Sequence, residues 1–386
     1  MARPVVKVEP LIMKYARHCS GYDLAAAAKK IKVSEDKLRA FEQEQSEVTL
    51  GELKRVSAAY KMPLAYFLLK KAPADVVVPD AFRVVYDSED QGFSPTLMLA
   101  VRNARYAQSV VQELSGKDIK YPFRAVTIKD DPEKVASYFR GILGVDLEDQ
   151  KKWSDPAVAL RGWKDAVERL GIFILQQSLT KDDVSAFSLA DQKPYVVLLN
   201  SSEHENRRIF SLFHEVAHIL LHTSGVCTPT NLSRNSYAYK QIEKFCNQFS
   251  ASFLVPQADF TANEIVKRLG KLSFEKWSPN DIKTLASLYR VSQEVIYRRL
   301  VQVGVLGEEE YEQKRSELMK SFEEYKKLPK KENLIIPQYR KIISKNGRAY
   351  SGLILENLHS NRITLSDAAE YLGTNTQHIS AVESHM

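Results

Sequence analysis

The residues with the most chemistry in their spacing are His214-Glu215-Val216-Ala217-His218, an HExxH motif. On an α-helix, positions i and i+4 share a face, so both imidazoles can reach a single zinc ion. Glu215 follows the first histidine. It lies on the flank from which a water polarised by the ion can be deprotonated, and the same carboxyl can hand that proton to a leaving amine. This is the chemistry of peptide-bond hydrolysis. Ile209-Phe210 and Leu212-Phe213 before the motif, and Ile219-Leu220-Leu221 after it, predict a buried helix over 205–222.

Such a site needs a third protein ligand. His222 continues the i, i+4 series, but it stands about 12 Å from His214 along the helix axis. Three imidazoles on one straight helix cannot close on one ion, so His222 is expected behind the ligands. Glu243, on a second helix predicted over 237–254, is the better candidate, because a carboxylate from another helix completes a known catalytic zinc set. Asn247, one turn further on, can position it. Asp259, Glu264 and Cys246 remain alternatives. Tyr195, Tyr237, Tyr239 and Arg208 are candidates for stabilising an oxyanion, with no spacing to choose among them.

The stretch from Arg208 through His214-Glu215 and His218 to His222, followed by Glu243, Asn247, Phe249 and Pro256, resembles the ImmA/IrrE family of metallopeptidases. That family carries a similar RxxFxxxHExxHxxxH segment and then ExxxNxFAxxLLxP. The run over 249–256 departs from the second motif without touching its chemistry. The resemblance implies His214, His218 and Glu243 as zinc ligands and Glu215 as the catalytic acid/base. It covers about 180–260, with Phe82-Arg83 upstream similar to a recurrent pair in long members and 285–300 similar to their helix-turn-helix-like tail. Known members cleave transcriptional repressors, which implies a protein substrate. Long members also resemble antitoxins encoded beside a PIN-like ribonuclease toxin. The alternative is therefore a DNA-binding, antitoxin-like regulator whose peptidase-like domain binds a partner without essential proteolysis.

Residues 10–69 are similar to the XRE-type helix-turn-helix domain of the same long members. Asp23 and Ser34 can cap helices over 24–31 and 34–41, and Thr49 a third carrying Leu50, Leu53, Val56 and Ala59. The recognition helix would be 34–41. Phe41-Glu42 stands where the family shows WE, and Glu44 replaces its usual glycine. Lys29, Lys30, Lys32, Lys37 and Arg39 can meet phosphates of double-stranded DNA, and Lys37 or Arg39 a base edge. Glu35 and Asp36 open that helix, which suits its dipole but not a phosphate. Docking onto protein is the competing use of the same module.

The elements that must position the zinc helix can be read from the pattern around it. Apolar β-rich runs at 171–175 and 195–199 predict paired strands, with a further strand over 184–189. The strand ending at Asn200 runs directly into the zinc helix, and its edge is a candidate for substrate pairing. Helices are predicted over 91–115, 132–143 and 155–170. A second helix-turn-helix pattern spans 281–300, a charged helix or linker 307–333, and a final helical pair, open to oligomerisation or docking, the region near 364–383. The expected fold class is α+β, predominantly helical: a five-helix amino-terminal domain over 1–72, a zincin-like metallopeptidase domain over 73–305 (zinc core 170–260, helix-turn-helix-like helices 257–305), and a charged linker with a carboxy-terminal helical region over 306–386. Val76-Val77-Val78 lies in a Pro-rich linker.

Composition agrees with this division. A chain of 386 residues predicts two or three domains. Hydrophobic residues make up 44% and charged ones 27%, which excludes extended disorder. The absence of a long apolar run excludes a membrane-spanning helix. The net charge is +7, and residues 1–72 hold 14 basic against 8 acidic side chains, so nearly all the excess lies in the first module. Three cysteines without CxxC spacing, and no apolar leader at the start, predict a reducing cytoplasm.

Overall fold

A computed structural model describes residues 4–43, 47–71, 94–116, 119–180, 184–222, 237–327 and 336–386. It is α+β and mostly helical. Phe82, Arg83, the Val76–Val78 run, Glu44 and Cys227 lie outside the described residues. The described chain divides into two compact units. One runs up to Arg105 and includes Leu179; the other takes the remainder from Tyr106 to Met386. The boundary between the units falls inside one long helix.

In the first unit, strand β1 (Val5–Val6) pairs antiparallel with β2 (Val48–Thr49). Helix α1 (Pro10–His18) starts without a side-chain cap, α2 (Leu24–Ile31), α3 (Glu35–Phe41) and α4 (Leu50–Tyr60) follow the expected caps, and the fifth segment is a short 3-10 turn, Leu64–Leu68. Asp23 accepts from the Ala26 amide at 2.6 Å. Ser34 caps α3, and Thr49 with Glu52 forms a full capping box on α4. Ile12, Ala27, Ile31, Leu38, Val56 and Phe67 fill the core. Arg17 grips Glu42 through two nitrogens at 2.8 and 2.9 Å, tying α1 to the end of α3.

The long helix α5 (Pro95–Ser115) leads into the second unit. There α6 (Pro132–Leu143), α7 (Leu147–Lys152) and α8 (Pro156–Glu168) precede the strands β3 (Phe173–Gln177), β4 (Ala186–Leu189) and β5 (Val196–Asn200). The sheet order is β3-β5-β4, with β5 parallel to β3 and antiparallel to β4. Every residue of β5 is buried, which explains its unbroken apolar run. Both of its edges are therefore occupied. The expectation that the strand before the zinc helix could accept a substrate by edge pairing is corrected: the outer edge belongs to β4.

Helices α9 (Glu205–His222) and α10 (Tyr237–Leu254) follow, then α11 (Gln257–Ala262) and α12 (Glu264–Leu269). Next come α13 (Pro279–Tyr289), α14 (Gln293–Gln302) and α15 (Glu308–Lys327). The charged helix α15 is not wholly solvated, because Tyr311 is buried and Leu318 packs on the core.

The end of the chain forms α16 (Gln338–Asn346), α17 (Arg348–His359), α18 (Leu365–Tyr371) and α19 (Ile379–Glu383). This region is part of the second unit. Gln176 of β3 donates to the Ser344 carbonyl at 2.7 Å, and Glu168 accepts from the Arg348 and Ala349 amides, so it caps α17. Gly347 has φ +75°, and a Cβ there would run into the Ile174 carbonyl and the Glu168 carboxylate. Among the described residues no helix is long and apolar enough to cross a membrane.

Candidate metal centre

Helix α9 is held on its apolar sides. Ile209, Leu212, Phe213, Val216, Ala217 and Leu220 are all completely buried. Phe213 stacks on Phe253 of α10 with ring centres 4.0 Å apart, and Trp163 of α8 meets both rings edge-on. This aromatic knot fixes α9 against α10, so the remaining face of α9 opposes Glu243.

That face carries His214 and His218, whose Nε2 atoms are 3.2 Å apart. Glu243 spans them: Oε2 lies 3.3 Å from His214 Nε2 and Oε1 lies 3.3 Å from His218 Nε2. A tetrahedral ion with bonds of about 2.0–2.1 Å needs donors about 3.3 Å apart. Two imidazole nitrogens and a carboxylate at this spacing form a donor set that suits zinc. Burial raises the affinity of the Glu243 carboxyl for protons, but hydrogen bonds from His214 and His218 outweigh it and hold the group well below the usual carboxylate range.

Glu215 lies near enough to His218 and Cys246 to act on both electrostatically. It is buried, and its Oε2 accepts a hydrogen bond from Ser188 Oγ of β4 at 2.8 Å. Ser188 was not found from the sequence. Its only signal there is being the one hydroxyl in the strand Ala186–Leu189. Cys246, one turn beyond Glu243, is completely buried. Its sulfur and the two histidine nitrogens lie within 4.8 Å of one another. Burial pushes the thiol up, although the neighbouring His218 pulls the other way. The His218 imidazole is depressed by burial, yet Cys246 and then Glu243 raise it above its ordinary value overall.

The other candidates fall into place by their partners. Asn247 is half-buried one turn beyond Glu243. His222 ends α9, and its side chain is outside the described residues. Asp259 is engaged by Lys151 at 2.9 Å and by the Tyr289 hydroxyl at 2.5 Å, while Glu264 is exposed and pairs with Lys267. Neither reaches the histidines. Tyr195 is stacked on Tyr121 with centres 4.3 Å apart, and Arg208 is buried against Gln176 and Glu205. Tyr237 is exposed and Tyr239 half-buried at the start of α10.

Residues 167–301 match a family model, the IrrE N-terminal-like domain. The likeness is confined to this segment, about a third of the chain. It begins at the end of α8 and contains the whole sheet, both helices of the metal centre and the pair α13–α14. A solved Mycobacterium tuberculosis transcriptional regulator is similar at 17% identity and a TM-score of 0.30, over 51% of this chain and 51% of its own. The chain thus spans about half the length of that relative. No curated protein matches.

Outside the IrrE-like domain, the amino-terminal cations have distinct settings. Lys29, Lys30, Lys32, Lys37 and Arg39 are all exposed. Lys37 is diverted to Glu52 at 2.5 Å, and its ammonium lies over the Phe41 ring. Glu35 and Asp36 are exposed at the opening of α3.

Proposed function

We propose that the IrrE-like domain is a zinc-dependent endopeptidase acting as a regulator, cutting a cytoplasmic regulatory protein such as a repressor. The observation that carries this reading is the convergence of His214, His218 and Glu243 at donor spacing, with Glu215 beside them. These three residues would hold the ion. When bound, zinc supplies Lewis-acid polarisation of a peptide carbonyl and a lowered pKa for water. Glu215 then takes the proton of the attacking water and delivers it to the leaving amine. Ser188 orients that carboxylate by binding Oε2, leaving Oε1 for proton transfer. The substrate would lie extended along the outer edge of β4, adding a strand to the sheet. The scissile bond would then lie near Glu215, the carboxylate that Ser188 binds. The Asn247 amide would steady Glu243, and His222 would stand behind the ligands.

The amino-terminal module supports targeting to double-stranded DNA. Lys29, Lys30 and Lys32 would meet phosphates, and Arg39 is the better base reader because Lys37 is neutralised within the fold. The exposed Glu35 and Asp36 favour a second reading. In it, the module docks protein and the chain acts as an antitoxin-like partner binder without essential proteolysis.

The test pairs metal analysis with proteolysis. The purified chain should carry about one zinc, as the ligand set requires. Glu243→Ala should lose the metal, whereas Glu215→Gln should keep it and cleave about 10²–10⁴-fold more slowly. In the producing cell, one protein should lose its intact form with wild type and keep it with Glu215→Gln. A chain without zinc, or a substrate cut equally by Glu215→Gln, would sink the peptidase reading. Zinc binding with no cleaved protein would favour the second.

A further inference from the structure

Three segments of this chain repeat one pattern. Each has two helices joined through a residue in the left-handed conformation: Lys32 at φ 63°, Arg290 at φ 54° and Gly373 at φ 61°. Counted from that residue, the buried positions coincide. They are Ala27, Ala28, Ile31, Leu38 and Phe41 in the first copy, and Ala368, Ala369, Leu372, Ile379 and Val382 in the last. The middle copy has Leu285, Ala286, Tyr289, Ile296 and Arg299 at the same places. This is the interior of a helix-turn-helix, in which the second helix presents its outer face to a duplex.

The three copies differ in what that outer face meets. In the middle copy no residue of α14 is exposed. Arg299 pairs with Glu133 at 2.6 Å and donates to the Val255 carbonyl at 2.7 Å, and Arg298 lies over the Phe210 and Tyr311 rings. That copy has become core. In the last copy Asn375, Thr376, Gln377 and Ser380 are exposed along the second helical segment. We infer that residues 364–383 are a second DNA-reading helix-turn-helix, at the far end of the sequence from the first.

The chemistry favours double-stranded DNA. Amide side chains pair with the adenine edge, and hydroxyls accept or donate to any base in the major groove. The first reading helix opens with two exposed carboxylates, and the last opens with Thr376 and Gln377. Carboxylates nearby are engaged: Asp367 caps α18, Glu370 accepts from the Tyr106 hydroxyl, and Glu383 holds His359 at 2.6 Å. Cations flank the unit. The Lys345 ammonium sits against the turn, 2.9 Å from where a Cβ of residue 373 would be, and Arg362 is exposed just before α18. Both are placed as phosphate contacts are. The unit is fixed on its support, because Asn346 donates to the Leu372 carbonyl at 2.9 Å and the Tyr350 hydroxyl donates to the Tyr371 carbonyl at 3.2 Å.

The inference is independent of the zinc reading, and Glu215→Gln should select the same DNA as wild type. The experiment offers the full chain a pool of duplexes with randomised centres and sequences what is retained. Wild type should enrich two unrelated motifs. Arg39→Glu should lose one of them. The Gln377→Glu, Ser380→Glu double variant should keep that one and bind the other at least about tenfold more weakly. All three positions are exposed, and unchanged thermal unfolding would show that the variants fold. Lys345→Glu should weaken binding to the second motif regardless of base changes within it, and lower its salt dependence. The inference is overturned if the double variant enriches the same motifs with unchanged affinity, if Arg39→Glu enriches nothing, or if wild type selects no duplex.

Discussion

At the residue scale, the site depends on partners that share no sequence neighbourhood. Ser188 reaches Glu215 across 27 positions of chain, and its hydroxyl donates to that carboxylate at 2.8 Å. Ser188→Ala should leave zinc content and unfolding unchanged while lowering kcat by about tenfold, the worth of one hydrogen bond to a charged group. Loss of zinc in that variant would mean Ser188 shapes the metal site instead. The ring of Phe253 is central to the knot that sets α9 against α10. Phe253→Ala should cost about 3–5 kcal/mol in chemical denaturation and loosen zinc affinity with it. A smaller cost with unchanged zinc affinity would show that α9 and α10 are held by other contacts. HExxH was readable because helical periodicity is local. Ser188 was not, because a lone strand serine carries no mark of what it faces.

At the element scale, side-chain caps mark where α2, α3 and α4 of the first unit begin. In α4, burial pushes the Glu52 carboxyl up, but hydrogen bonds from Lys37 and from the Thr49 amide and hydroxyl override this and hold it at about 2. The folded value lies below the ordinary 4.5, so the stabilisation is complete above about pH 4.5 and is lost as pH falls toward about 2. Amide exchange in residues 50–60 of the full chain should speed up through that window, and Glu52→Gln should flatten the response. An unchanged pH profile in Glu52→Gln would assign the effect to another group. Thr49→Ala should cost the unit about 1 kcal/mol. These caps were legible because Ser, Thr and Asp before an apolar period are a local signal. The sheet order was not. Runs over 171–175 and 195–199 predict strands that pair, yet which of three becomes central depends on what covers each edge.

At the scale of the whole molecule, the closing helices are built into the second unit. Helix α16 covers β3 through Gln176, and α17 is capped by Glu168, whose carboxyl burial drives up to about 7. A chain ending at residue 327 would leave both groups without these partners, at about 1–3 kcal/mol each, and uncover the β3 edge. It should unfold at lower temperature than the full chain and self-associate. Unchanged thermal unfolding would show that the tail only rides on the core.

The sequence alone determined what lies within a few turns of itself: the paired histidines with Glu215, the caps, the helices over 205–222 and 237–254, and the basic surplus of the first module. Periodicity, capping and charge are local properties, so they can be read without knowing the fold. Tertiary structure decided which acid meets the histidines. It brought Glu243 to them and sent Asp259 to Lys151 and Tyr289. It placed β5 in the middle of the sheet and β4 at the edge. It also gave three similar helix pairs different surroundings, sealing the outer face of the second helix of 281–300 into the core and leaving those of 23–42 and 364–383 in solvent. The physical reason is the same in each case: whether a side chain is buried, paired or exposed is set by chain segments far away in sequence.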